Sequence, residues 1–178
     1  MQKFIRILSA AALIALAIWG WRVLFPSPEN AIRARLKSLA KVVSFGPSDG
    51  SISKGYSAQK LTDYFTPQVD ISLNAPGYPP LSITDRQELI QGLLYAQANL
   101  GSLKVEFLDI NVTLGPDKES ATANLTAKVT IGKSADFNVQ ELDITLKKVE
   151  NRWIIYRVVT VKTLSLNARP QFTMLAHS

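Results

Sequence analysis

Between Ser120 and Ile131 apolar and polar residues alternate without a break. Ala121, Ala123, Leu125, Ala127, Val129 and Ile131 take one parity, and Thr122, Asn124, Thr126, Lys128 and Thr130 take the other. Side chains on a strand point to opposite faces in turn, so this segment predicts a strand with one buried and one wet face. Three further runs flank it, Lys104–Leu114, Phe137–Val149 and one starting at Arg152 and running to Leu164. The connections are Gly115-Pro116-Asp117-Lys118, Gly132-Lys133-Ser134 and Glu150-Asn151. Connections this short imply antiparallel neighbours. Two runs change parity partway. Val105 and Phe107 give way to Leu108, Ile110, Val112 and Leu114, and Phe137 and Val139 give way to Leu142, Ile144 and Leu146. Such a switch predicts a β-bulge in each strand, as a strongly curved sheet requires.

The first half of the chain follows a helical period. Ser27-Pro28-Glu29 offers a capping residue, a proline at the first helical position and an acid near the positive end of the dipole. Ile32, Leu36, Leu39, Ala40 and Val43 then share one helical face, with Arg33, Lys37 and Lys41 on another. Phe45 to Tyr56 reads as a loop, and Ser57 to Phe65 as a short helix with Leu61 and Phe65 four apart. Val69 to Leu73 reads as a strand, and the proline-rich stretch from Ala75 to Leu81 as an irregular excursion. Asp85 and Glu88 predict a capping box for a third helix, Arg86 to Leu100, with Ile83, Leu89, Leu93, Leu94 and Ala96 on its apolar side and Gly101 as its stop.

The stretch from Ile7 to Trp21 holds no charged residue. With Val23, Leu24 and Phe25 added, and Arg22 snorkelling, it approaches the roughly 20 residues needed to span a bilayer. Trp19, Trp21 and Phe25 sit at one end, as interfacial aromatics do. Lys3 and Arg6 also fit the start of a signal peptide, but tryptophans occupy the place of a small-residue cleavage site, which favours an uncleaved anchor. The expected organisation is an anchor over 1–26, one domain over 27–166 and a tail over 167–178. Lys3 and Arg6 favour a single-pass inner-membrane protein with its domain outside the cytoplasm, while Arg22, Arg33, Arg35, Lys37 and Lys41 pull the other way.

Charge and composition narrow the chemistry. The net charge of +6 resides in residues 1–41, with seven basic residues against Glu29, and the remainder is neutral with thirteen of each sign. A nucleic-acid partner is not expected, because the folded part has no basic excess for phosphates. The chain has no cysteine, and its one histidine is His177. Thiolate or histidine metal sites and a core histidine base are therefore excluded. No cofactor is expected. The lipid bilayer is an expected partner through 7–25.

The order helix, short helix, strand, helix, four long strands describes an α+β plan, a curved antiparallel sheet wrapped around three helices. Three segments carry a resemblance: Leu61-Thr-Asp-Tyr-Phe-Thr-Pro-Gln-Val-Asp, Ile83-Thr-Asp-Arg-Gln-Glu-Leu-Ile, and Leu146-Lys-Lys-Val-Glu-Asn-Arg-Trp-Ile-Ile-Tyr-Arg-Val. They resemble the second helix and first strand, the opening of the third helix, and the last hairpin of the nuclear transport factor 2-like (cystatin-like cone) superfamily. The resemblance covers about residues 28 to 164. It implies a conical pocket between sheet and helices, which in that superfamily serves isomerases, cyclases, dehydratases and members without chemistry.

Ketosteroid isomerase-like catalysis within that superfamily needs a carboxylate base with a tyrosine and a protonated acid as donors. No tyrosine lies in Ala31–Val43, so one donor has no counterpart. Asp70 alternates with Val69 and Ile71 and is expected on the wet side. Asp109, at the parity switch, is the one catalytic candidate, and the wet face is favoured for it as well. Tyr64, Tyr95, Trp153 and Tyr156 are candidate pocket residues, with plain core packing as the alternative. Thr122, Asn124, Thr126 and Thr130 form a candidate face for a protein partner or a second copy. Two functional classes follow: a membrane-tethered, non-enzymatic interaction module, and a protein using the cone for a small apolar molecule as carrier or enzyme. The missing base–donor pair and the anchor favour the first. A sealed cone supports it, and an open cone with a buried carboxylate supports chemistry.

Overall fold

The computed structural model describes residues 27–74, 79–132 and 137–164. The anchor expected over 7–25, both outer domain boundaries and the tail lie outside the described residues. Among the described residues no helix is long and apolar enough to cross a membrane.

Three helices, α1 (Pro28–Val43), α2 (Ser51–Lys60) and α3 (Arg86–Asn99), pack against six strands. The strands are β1 (Phe65–Leu73), β2 (Leu81–Asp85), β3 (Leu103–Leu114), β4 (Ser120–Ile131), β5 (Phe137–Val149) and β6 (Arg152–Leu164), in the order β2-β1-β6-β5-β4-β3. The four-strand meander matches the sequence reading. Its last turn is a two-residue connection in which Glu150 and Asn151 both take positive φ, 48° and 63°, the handedness that a tight hairpin prefers. The sheet is not wholly antiparallel, however, because β1 runs parallel to β6.

Three local readings change. Helix α2 begins at Ser51 rather than Ser57, and Phe65 opens β1 instead of closing a helix. Gly50, Ser51 and Gly55 read locally as loop, but packing against α3 and burial of Ala58 hold the segment helical. A five-residue strand, β2, stands where an irregular entry was expected, so Ile83 is buried on a strand and not on α3. At the capping box, Asp85 accepts from the Gln87 N–H, while Glu88 reaches back to the Thr84 N–H at 3.2 Å.

One of the two expected bulges lies where the parity switch placed it, and the other lies on a neighbouring strand. The β3–β4 register shifts between Leu108 and Asn111, with Asp109 at φ 50°. Strand β5 pairs with β4 without a break; its register against β6 shifts twice, with Tyr156 and Val161 as the extra residues on β6. Phe137 and Val139 therefore stand on the outer face of β5, where the Lys128 ammonium lies 4.3 Å from the centre of the Phe137 ring.

The register sorts the core into two ends. Leu146 faces both Ala121 and Ile155, and Val112 faces Ala123, so the start of β4, the end of β5 and the start of β6 come together. Ile32, Leu36, Leu146 and Ile155 are completely or almost completely enclosed. Helix α1 is tied to the edge strand β3 by Arg33 Nε donating to the Ile110 carbonyl at 3.1 Å and by the Val105 N–H donating to Ser44 Oγ at 2.9 Å. Phe45 adds a backbone bridge to Leu103. The other end, between α3 and the opposite ends of the same strands, is less filled.

Candidate functional site

That wide end encloses a cavity of about 390 Å³. Helix α3 contributes Leu89, Gly92, Leu93 and Ala96, one stripe at i, i+3, i+4 and i+7. Facing it are Leu103, Val105 and Phe107 of β3, Ala127 and Val129 of β4, and Leu142 and Ile144 of β5. Phe65, Ile71, Leu73, Leu81, Ile83 and Val158 close the side, with Leu39, Val43 and Leu61 at the deep end. On the helix side the wall is small, because Gly92 and Ala96 take half of the stripe. A Cβ built on Gly92 meets nothing within 4 Å. Two wall residues, Leu81 and Gly92, are exposed, which places the mouth between β2 and α3.

Among the described residues every wall position is apolar, and none of them supplies a base, a proton donor or a charged group. It is open, as chemistry would require, yet it carries no carboxylate. Its walls are suited to excluding water and to dispersion contact with an apolar guest.

None of Tyr64, Tyr95, Trp153 and Tyr156 lies on this wall. Trp153 and Tyr64 are buried, and both belong to the narrow end. The Ile155 N–H donates to the Tyr64 carbonyl at 2.8 Å, and the Tyr64 hydroxyl and Ser38 Oγ are 2.9 Å apart. The Arg35 guanidinium lies 4.8 Å from the Tyr64 ring centre and donates through Nη2 to the Asp63 carbonyl. Burial lowers the pKa of Arg35 from its ordinary value, and Tyr64 opposes that shift. This cluster fixes the turn at Leu61–Asp63. Arg86 holds the same turn from α3 by donating to the Thr62 and Phe65 carbonyls. Tyr95 is 72% exposed on the outside of α3. Tyr156 is an extra residue on β6 and borders a wide groove of about 550 Å³ with Thr66, Pro67, Gln68, Val69, Asp70 and Lys147, a mixed apolar and polar rim open to solvent.

Asp109 belongs to the opposite face of the sheet. It is exposed and borders a shallow groove with Asn111, Asn124, Thr126 and Glu141. The sheet separates that groove from the apolar cavity. Thr122, Asn124, Thr126 and Thr130 all stand on this outer face, alternating with Ala121, Ala123, Leu125 and Ala127, which are buried inside. Asp70 is also exposed there, with Arg157 Nε 3.2 Å from its carboxylate. Among the described residues no group of acids and histidines is arranged to hold a metal ion.

One buried side chain was not singled out by sequence. Gln97 on α3 is only 6% exposed, and neither its amide oxygen nor its amide nitrogen has a partner among the described residues. It lies one turn beyond Leu93 and next to Ala96, at the border between the cavity stripe and the α2 contact. A polar residue within an otherwise apolar stripe was the available signal.

No family model matches the chain, and no curated protein matches it. Solved structures do share its architecture. An uncharacterised protein with a cystatin-like fold from Caulobacter vibrioides aligns with a TM-score of 0.57 and 15% identity, over 78% of this chain and 91% of that one. A provisional scytalone dehydratase from Novosphingobium aromaticivorans aligns at 0.54 and 14%, over 76% and 83%. A chain of the yeast complex of the deubiquitinase Ubp3 with its cofactor Bre5 aligns at 0.56 and 12%, over 78% and 97%. At these identities the likeness establishes the fold alone: an α+β cystatin-like, nuclear transport factor 2-like cone with three helices on a six-stranded sheet.

Proposed function

We propose that this domain is a non-catalytic binding module that holds an apolar molecule inside its cone. The observation that carries this reading is the cavity of about 390 Å³ with an apolar wall throughout. Its size falls within the range of small-molecule sites, ~300–1,000 Å³. A guest in this hollow gains the burial of its own apolar surface and of the walls around it. Asp109 lies across the sheet from the cavity, which argues against catalysis on a molecule held there.

The uncharged run over 7–21 supports membrane tethering of the module, and a tether favours guests that partition into membranes. A second reading, that the module also docks a protein, is supported by the outer sheet face, which no described element covers. The roles named for proteins of this fold range from an enzyme to a cofactor of a protein complex, and both uses are compatible with the cone.

The test is site-mapped photolabelling of the full chain in lipid nanodiscs with an alkyl diazirine. Label is expected on peptides from α3, β3 and β4, and it should be lost in Gly92→Phe, which fills the mouth from a position with free space. Label confined to 1–26, or unchanged by Gly92→Phe, overturns the reading.

A further inference from the structure

The chemistry of the wall restricts the guest further. Among the described residues no hydroxyl, amide or charged side chain lines the cavity, so a guest with several ketones or hydroxyls would bury them without partners. Burying such groups unpaired is costly, which disfavours oxygenated polycyclic molecules. Aromatic guests gain little either, because Phe65 and Phe107 are the only rings among the described wall residues. What remains is a group with no hydrogen-bonding need that can fold to fit an irregular aliphatic space. The mouth between the exposed Leu81 and Gly92 leaves room for a polar end to stay in water.

We infer that the cavity takes one unbranched hydrocarbon chain of an amphiphile, with its polar head outside the mouth between β2 and α3. This rests on the proposed binding function and specifies its ligand class. The cavity is finite, about 390 Å³, so only a limited length of chain fits inside it. Two sources supply such a chain, a free single-chain carboxylic acid or the acyl chain of a membrane phospholipid. The recognised chemistry is the same in both.

The experiment is competition against the alkyl diazirine label on the full chain in nanodiscs, read at the α3 and β4 peptides. Alkanoic acids of increasing length are the competitors. Each added carbon should strengthen competition about fourfold, the gain of burying one methylene. The gain should stop at the chain length that fills the cavity. A fused-ring acid of similar volume, decalin carboxylic acid, should compete at least tenfold less well than the straight-chain acid of equal carbon number, and a sterol should compete less well still. In a parallel arm the diazirine is carried on a phospholipid acyl chain. Labelling of the wall in that arm makes the bilayer the source, and labelling by the free acid alone makes it a free amphiphile; either outcome supports the inference. A flat dependence on chain length, no plateau up to eighteen carbons, or a fused-ring acid or sterol that competes equally overturns it. In those cases the wall is still labelled, so the binding function itself stands. Failure to label the wall at all overturns both. Gly92→Ala, which leaves the cavity open, serves as the control: it should keep the chain-length profile while Gly92→Phe abolishes it.

Discussion

At the narrow end of the cone Ile32, Leu36, Leu146 and Ile155 are enclosed on all sides, and Trp153 and Tyr64 fill the remaining space. At the wide end the same strands β4 and β5 continue, and Ala127, Val129, Leu142 and Ile144 border a hollow of about 390 Å³ together with α3. Both ends are apolar, and they differ in the helix residues that meet the sheet. Helix α1 brings Ile32 and Leu36 to the narrow end, and α3 brings Gly92 and Ala96 to the wide end, which leaves room for a guest. A fold can thus divide its core between support and binding without placing one polar group in the site.

That division predicts unequal responses to truncation. Trp153→Ala should destabilise the domain by ~3–5 kcal/mol, because a well-packed site cannot collapse around the lost ring. Val129→Ala, on the cavity wall, should cost no more than about 1 kcal/mol, because its neighbours already border empty space. Urea melts of the two variants measure the contrast, and equal losses would mean the wide end is packed like the narrow one.

Gln97 sharpens the boundary between the two regions. With both amide atoms unpartnered and buried, Gln97→Leu should raise stability by ~1–2 kcal/mol in the same melts. A loss of stability would show that the amide pairs with a bound molecule or an ordered water, and would extend the site past Ala96.

The outer face gives the smallest effect on folding. Asn124→Arg with Thr126→Glu should change stability by less than about 0.5 kcal/mol, as exposed substitutions do. If the face docks a protein partner or a second copy, sedimentation of the solubilised complex should show association lost. Unchanged association would leave the outer face without a binding role.

Much of this fold was legible in the sequence because its signals are local. The alternation over Ser120–Ile131, the Glu150-Asn151 turn and the Ser27-Pro28-Glu29 helix start each act within a few residues, and the boundaries of β4 and α1 follow from them. The parallel pairing of β1 with β6 was not legible, since it joins segments about ninety residues apart and leaves no local pattern. Strand β2 was hidden by its five-residue length next to a strong capping sequence. Helix α2 was hidden by serine and glycine, which tertiary packing overrides. The candidate site was the least legible part. Tyr64, Tyr95, Trp153 and Tyr156 were singled out because aromatics supply large contact surfaces, yet the cavity wall is mostly aliphatic. The stripe Leu89, Gly92, Leu93, Ala96 was visible at helical spacing, but the strand residues that complete the wall come from β1 to β6 and are assembled only by the folded sheet.

The most direct test of the contrast is xenon binding in pressurised crystals, since dry apolar cavities take up xenon. The account predicts xenon density between α3 and strands β3 and β4, beside Gly92 and Ala127, and none around Trp153. Density at the narrow end, or an unoccupied wide end whose walls have closed together, would contradict it.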